Sequence, residues 1–395
     1  MLKRLLWLSI GTFLIGAESF VVAGVLPEIA HDTGSTLAAC GQLVTAYALA
    51  YAIGSPVLAT VFSRLPRKPM LVGALVAFAI ANALAAAATN LPLLMAARVL
   101  LGISAGLFIP TANAVAVQLV PPEMRGRAIA TVIGGMTVAV ALGAPLGTFI
   151  ATQTSWRMPF ALVAVISLIA SAGLAIGMPG KLPITSASLR QRLALAAEPR
   201  VLKTLLVTLF WAMSSFVLFV YIAPFLGRFG IHGWEVSGAF FLFGVASAAG
   251  NAYGGVIVDR VGSLRTLVAA LSVMVLVMGA IGTVASLGTG VAEVVAVLAL
   301  MVVWGAAGWA FYPAQSARLV EVAPGAAVVV LSLNSSALFF GQAGGAALGS
   351  LVQQALPLPD LAFAGAMSAL IALGVLAWSQ QALTARQARV PEPAE

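Results

Sequence analysis

From Leu5 to Pro27 the chain holds a single ionisable residue, Glu18, and from Leu91 to Val120 it again holds one, Arg98. A helix needs about 20 apolar residues to cross the hydrocarbon of a bilayer, and the sequence offers twelve such runs. They cover 5 to 27, 38 to 61, 70 to 88, 91 to 118, 128 to 150 and 157 to 178, then 201 to 227, 234 to 258, 266 to 286, 292 to 317, 326 to 352 and 360 to 380. A backbone crossing lipid must satisfy its own polar groups, so each run is predicted to be helical. Hydrophobic residues make up 61% of the 395 and charged ones 8%, where a soluble domain carries about a quarter charged. The expected fold class is an all-α membrane protein with twelve transmembrane helices.

The first run follows Lys3 and Arg4 as a secretory signal does, but it is too long and contains Glu18, so it is read as retained. Basic residues set orientation. With the N-terminus inside, seventeen of the twenty Lys and Arg residues fall on the cytoplasmic side, Arg98 lies within the membrane, and only Arg157 and Arg228 fall outside. Both termini are therefore expected in the cytoplasm, and the net charge of +8 reports topology, not a nucleic-acid partner.

Cys40 is the only cysteine, which excludes an internal disulfide and a zinc site of several thiolates. His31 and His232 have no companions at metal-ligand spacing and read as solvated loop residues, so neither metal nor cofactor is expected. Gly102-Ile-Ser104-Ala-Gly106 fits the nucleophile-elbow pattern of hydrolases, but that motif needs a strand-to-helix turn and a histidine partner, and here it falls mid-helix. No phosphate loop of the Gly-Lys-Ser/Thr type occurs. The chain is not expected to be an enzyme.

The longest polar connection divides six helices from six, giving an N-terminal bundle at 1–179, a cytoplasmic linker at 180–200 and a C-terminal bundle at 201–395. The segment from Gly255 through Asp259 and Arg260 to Gly262 has a counterpart half a chain earlier at Ser63-Arg64-Leu65-Pro66-Arg67-Lys68. Internal duplication of this kind builds many transporters, with the site between the repeats near the midplane.

On these residues the chain resembles the major facilitator superfamily over essentially its whole length. Gly-x-x-x-Asp-Arg-x-Gly at 255 to 262 is similar to that family's loop signature, while the first copy has Ser63 in place of the aspartate and Pro66 in place of glycine. Arg98-x-x-x-Gly102-x-x-x-Gly106 and Gly143-Ala-Pro145-Leu-Gly147 are similar to motifs of the drug:proton antiporter branch. Within it, Glu18-Ser-Phe20, Leu26-Pro27-Glu28, Trp156-Arg157 and Tyr221-Ile-Ala-Pro224-Phe225 resemble bacterial exporters of sugars, chloramphenicol and purine bases or nucleosides. Tyr312-Pro313-Ala314-Gln315 and Asn334-Ser335-Ser336-Ala337 look most like the purine-efflux members. The resemblance implies two pseudo-symmetric six-helix bundles, alternating access, a functional monomer and a bacterial inner membrane. The proton gradient would be the energy source.

The residues themselves permit this chemistry. An ionised carboxylate in the membrane pays a large desolvation penalty, so such a group exchanges protons readily near neutral pH. At about 1.5 Å per residue, Glu18 and Arg98 fall at similar depths in the outer part of the membrane and are able to meet. Both are candidates for proton coupling, although hydrogen bonds to backbone would account for either as structural.

The substrate cavity should lie between helices one, two, four and five and helices seven, eight, ten and eleven, as the resemblance implies. Its candidate contacts are Tyr47, Tyr51, Asn113, Trp211, Ser214, Ser215, Tyr221, Asn251, Tyr312, Gln315 and Asn334. For any one of them, interhelical hydrogen bonding is an equal account. Gly143, Pro145 and Gly147, with Gly255, Asp259, Arg260, Gly262, Arg64 and Arg67, are candidates for gating. The leading reading is proton-coupled export of a small organic compound. Uptake by symport or facilitated diffusion is the alternative on the same scaffold, and a transport-dead membrane sensor is a third class.

Overall fold

The computed structural model describes residues 2–62, 65–121, 124–180 and 189–387. Among them there is no strand. One group of helices comprises α1 (Leu2–Gly24), α2 (Leu26–Thr33), α3 (Leu37–Val61), α4 (Arg67–Ala86), α5 (Leu91–Gln118), α6 (Arg125–Val138), a π turn (Ala139–Gly143), α7 (Ala144–Gln153) and α8 (Arg157–Gly177). After α9 (Leu189–Ala197) a second group comprises α10 (Pro199–Phe219), α11 (Ile222–Gly227), α12 (Trp234–Val261), α13 (Ser263–Leu287), α14 (Val291–Val322), α15 (Ala327–Ala355) and α16 (Asp360–Gln387).

Eleven of the spans among the described residues are long and apolar enough to cross a membrane. The twelfth, α15, is 29 residues long and packs against α3 of the other group and α10 of its own. Outward faces stay apolar: Ile176, Leu276, Leu287 and Val291 are all exposed. Water would make such surfaces a liability, whereas lipid is their natural solvent.

Local chemistry sets the helix ends. The Thr36 hydroxyl accepts from the Ala39 amide at 3.1 Å and the Asn90 side chain accepts from the Leu93 amide at 2.9 Å, each satisfying a donor left open in a first turn. Three runs expected to be single helices are interrupted, each beside a proline. The run at 5 to 27 breaks at Val25, with Pro27 in the first turn of α2, and the run at 201 to 227 breaks at Val220 and Tyr221, just before Pro224 in α11. Proline lacks the amide donor and its ring clashes with the carbonyl four residues back. In the run at 128 to 150, Pro145 is accommodated by the π turn that precedes it, an insertion that helices tolerate as a single turn.

Short connections make successive spans antiparallel. One end of the molecule therefore gathers Arg4, Arg67, Lys68, Arg125, Arg127, Arg192 and Arg200, and is called the basic end below; the far end carries Arg157 and Arg228. At the far end the two groups share one core. Val21 to Ile29, Cys40, Leu43 and Ala144 pack there with Val217 to Leu226, Phe240, Ala346 and Val352. Toward the basic end there are separate clusters, one built on Leu5, Leu8, Leu101 and Val132 and joined by Phe339 and Ala343 of α15, and another on Val201, Leu205, Leu319 and Val330. Gly134 on α6 there faces open space.

The far-end seam is made of backbone. Gly244 of α12 lies against the Val140 carbonyl in the π turn, Gly41 of α3 against the Tyr221 hydroxyl, and Gly24 of α1 against Thr148 and Phe240. The Ser350 hydroxyl donates to the Ala38 carbonyl across the same seam at 2.9 Å.

Glycines also set the spacing within each group. A methyl group added to Gly250 of α12 would strike the backbone of Ala306 in α14, and one at Gly279 of α13 would meet nothing. Gly250→Ala should therefore lower stability by about 1–3 kcal/mol, the usual cost of overpacking, while Gly279→Ala should not; thermal melting of the two detergent-solubilised variants beside the parent checks this.

Candidate functional site

Arg98 is held by three helices at once. Its Nη1 donates to Glu18 Oε1 on α1, its Nε donates to the Leu43 carbonyl on α3 at 3.2 Å, and its guanidinium carbon sits 4.4 Å from the centre of the Tyr47 ring. Arginine and carboxylate are both buried, at 0% and 1% exposure. The contact depends on glycine one turn away. Gly102 lies against the Tyr47 carbonyl and Gly106 approaches the Tyr51 carbonyl and the Ser55 amide, so α5 lies close against α3. The spacing Arg98, Gly102, Gly106 is thus a single device: the glycines bring the helices together and the arginine ties them.

The pair is incompletely satisfied. Glu18 Oε2 and Arg98 Nη2 have no hydrogen-bond partner among the described residues. Two charges in a low-dielectric interior repay their desolvation only with good geometry and further hydrogen bonds. A pair with an open position on each member is suited to exchanging partners.

Tyr47 separates this pair from a central cavity of about 150 Å³. Its walls come from α1 (Thr12, Ser19, Phe20), α3 (Tyr47, Tyr51), α5 (Ile109, Asn113) and α6 (Val132, Ile133, Met136, Thr137). The second group adds residues of α10, α12, α14 and α15. Of the sequence candidates, Tyr47, Tyr51, Asn113, Trp211, Ser215, Asn251 and Tyr312 line it.

Four candidates lie elsewhere. Ser214 is one residue, and so about 100° of helix, from Ser215, and its backbone faces Gly365 of α16. Tyr221 sits in the far-end seam between Gly41 and Gly349. Gln315 follows Phe311 by one turn and shares its buried face: its Nε2 donates to the Thr204 carbonyl at 2.6 Å and to the Thr208 hydroxyl at 2.7 Å. That hydroxyl in turn donates to Asn334 Oδ1 at 2.6 Å. Gln315 and Asn334 therefore tie α10, α14 and α15 together inside the second group.

Sequence reading passed over the aromatic end of the cavity. Phe219, the last residue of α10, contacts Phe20, Phe216, Phe240, Phe243 and Trp304 with ring centroids 5.5 to 6.2 Å apart. These rings close the cavity toward the far end. The signal was present, since one more turn beyond Trp211 and Ser215 reaches Phe219, and two turns back from Tyr312 reach Gly308 and Trp304, all on one helix face. Gln342 continues the Ser335, Phe339 side of α15 in the same way.

The gating candidates divide. Gly143 lies against Ala17 and Gly147 against Val21 and Pro159, with Pro145 beside them, so this motif seats the π turn and α7 on α1. Gly262 takes φ +88° and turns the chain from α12 into α13, a backbone region that favours glycine. Gly255 faces open space, and Asp259 and Arg260 are exposed at the basic end. Arg67 is buried there with Nη1 3.8 Å from Met70 Sδ; Arg64 lies outside the described residues. Ser104, the serine of the hydrolase-like pattern, donates to the Leu100 carbonyl at 2.8 Å within its own helix, which is no nucleophile elbow.

Trp156-Arg157 has a structural use at the far end. Arg157 Nη1 and Trp156 Nε1 donate to Asp32 Oδ2 at 2.6 and 2.9 Å, and Arg157 Nη2 donates to the Ala88 carbonyl at 3.1 Å. These bonds hold the Asp32 carboxyl below its ordinary pKa.

With twelve spans, a cavity between two helix groups and a buried charge pair in place, comparison with known proteins is decisive. Residues 8–346 match the model of the Major Facilitator Superfamily. The chain belongs to that superfamily. It is 32% identical to an uncharacterized MFS-type transporter, YbcL of Bacillus subtilis strain 168, over 93% of each chain. It is also 32% identical to a chloramphenicol resistance protein of Streptomyces lividans over 86% of each. A crystal structure of a bacterial homologue of the human lysosomal transporter Spinster, in an inward-facing and occupied conformation, shares the fold at TM-score 0.72, with 18% identity and coverage of 95% and 96% of the two chains. This superfamily member is a membrane transporter and not an enzyme.

Two outcomes follow for stability. Glu18→Gln leaves a buried guanidinium without its countercharge and should cost about 3–5 kcal/mol, whereas adding Arg98→Met should restore much of the loss in thermal melts. For Asp32, a lowered folded pKa means its contribution is complete above the unfolded value and is lost as pH falls through the folded one. Parent and Asp32→Asn should thus differ by a constant melting interval between pH 5 and 8 that closes only below about pH 4.

Proposed function

We propose that this transporter exports a small organic compound from the cytoplasm in exchange for protons, with Glu18 as the proton carrier. The observation that supports this most directly is the buried Glu18–Arg98 pair standing behind Tyr47, a residue that also lines the cavity. A charge pair there has little value as plain scaffolding, because a well-packed apolar pair is often as stable.

The basic end is taken as cytoplasmic, in keeping with the excess of Lys and Arg there, and both termini then lie inside a bacterial inner membrane. The closed far end supports reading the described state as inward-facing. In this state the carboxylate is unprotonated and paired with Arg98, and the cavity admits substrate from the cytoplasm. Rocking of the two groups opens the far-end seam. A proton from outside then takes Glu18, releasing Arg98 from the pair, and substrate leaves. Return to the inward-facing state discharges the proton inside as Arg98 reclaims the carboxylate. The proton gradient supplies the energy without a cofactor, and the two groups 1–179 and 201–395 act as the moving bodies, joined by the linker 180–200. One chain contains every part this cycle uses.

The name of the Streptomyces relative supports the outward direction. Substrate-triggered proton movement in proteoliposomes with an imposed pH gradient tests the whole scheme. The parent should couple the two fluxes, and Glu18→Gln should exchange substrate down its own gradient while proton flux drops to that of empty liposomes. Proton movement in the same direction as substrate would make the protein a symporter, and flux indifferent to Glu18 would remove that residue from coupling.

A further inference from the structure

Twenty-five of the described residues line the central cavity, and none of these is Asp, Glu, Lys, Arg or His. Eleven are aromatic, in a chain where aromatic residues make up only 8%. The nearest buried charges, Glu18 and Arg98, neutralise each other on the other side of Tyr47. A formal charge brought from water into such a space would lose its hydration and find no partner, which is strongly unfavourable.

The walls present flat faces. Trp211, which lines the cavity, is stacked on Phe311 at 4.5 Å with an interplanar angle of 11°, and Tyr51 is stacked on Phe339, another lining residue, at 3.6 Å. Among the buried polar atoms of lining residues that make no hydrogen bond with the described residues are Trp211 Nε1, which can only donate, and Asn113 Oδ1, which can only accept. A compound that satisfies both must carry an acceptor and a donor.

Resting on the transport reading above, we infer that this cavity takes uncharged, planar aromatic compounds bearing both a hydrogen-bond acceptor and a donor on their edge. Organic cations and phosphorylated compounds are excluded by the absence of any countercharge. Compounds that are hydroxylated on every face are poorly served by walls so rich in rings. An electrical consequence accompanies the chemical one. If an uncharged molecule leaves as a proton enters, each cycle moves net positive charge inward, so the membrane potential drives export as well as the pH difference.

Binding and transport test this separately. Quenching of tryptophan fluorescence in the purified full-length chain would be titrated with inosine and chloramphenicol, which are uncharged, and with inosine 5′-monophosphate and tetraphenylphosphonium, which are not. The uncharged compounds should bind and the charged ones should not. Trp211→Phe, which keeps an aromatic ring beside Phe311 but loses the N–H together with part of the indole, should weaken binding by at least the roughly five- to tenfold expected for one hydrogen bond. In proteoliposomes at equal pH on both sides, a potassium diffusion potential set with valinomycin should accelerate movement of the compound that binds. Binding of the charged probes, failure of every uncharged probe at millimolar concentration, or proton-coupled exchange indifferent to potential would overturn the inference while leaving proton coupling intact. Binding of uncharged aromatics without proton movement would uphold it and overturn the antiport reading instead.

Discussion

An arginine inside the membrane constrains everything packed around it. Arg98 needs a countercharge, a backbone acceptor and a polarisable face, and it finds them on two neighbouring helices: Glu18 on α1, and Leu43 and Tyr47 on α3. Leu43 and Tyr47 are one turn apart, so a single face of α3 supplies both. That face is reached only because Gly102 and Gly106 remove the side chains that would hold α5 away. The cavity wall follows from the same geometry, since Tyr47 and Tyr51 are the residues whose carbonyls those glycines touch and whose rings turn inward. A change at the charge pair is therefore one ring removed from whatever occupies the cavity.

The two groups repeat a second constraint. Each opens with a long helix that breaks near the far end and restarts as a short one, at Val25 and at Val220 to Tyr221. The breaks bring Val21 to Ile29 and Ile222 to Leu226 into the shared far-end core. The π turn before Pro145 lies against α12 in the same region. Irregular backbone is thus concentrated where the groups touch, and the regular helices around it are able to move as units.

Much of this could be read before any coordinates. Span number and fold class follow from apolar runs whose physics admits one secondary structure in lipid. The meeting of Glu18 and Arg98 follows from depth, because a helix converts residue count into height. What residue count does not give is azimuth. Ser214 and Ser215 are equally plausible on paper and differ by 100° in space, and Gln315 is turned from the cavity by sharing Phe311's face. The aromatic ceiling was missed for a different reason. Phe219, Phe20 and Phe243 carry no polar tip, so a search for polar groups in an apolar sequence passes over the residues that shape the cavity. Pro145 and Pro224 stand beside real irregularities, but nothing in the residues says that a π turn would absorb one of them.

The far-end seam has a consequence for how such a protein can vary. Where Gly244 meets the Val140 carbonyl and Gly41 meets the Tyr221 hydroxyl, closure is achieved by the absence of side chains, and absence has no conservative replacement. An aromatic wall can trade phenylalanine for tyrosine and change which compounds it prefers; a glycine in the seam can be replaced only by something larger. The cavity wall is therefore open to drift, while the glycine positions of the seam tolerate the least change during descent.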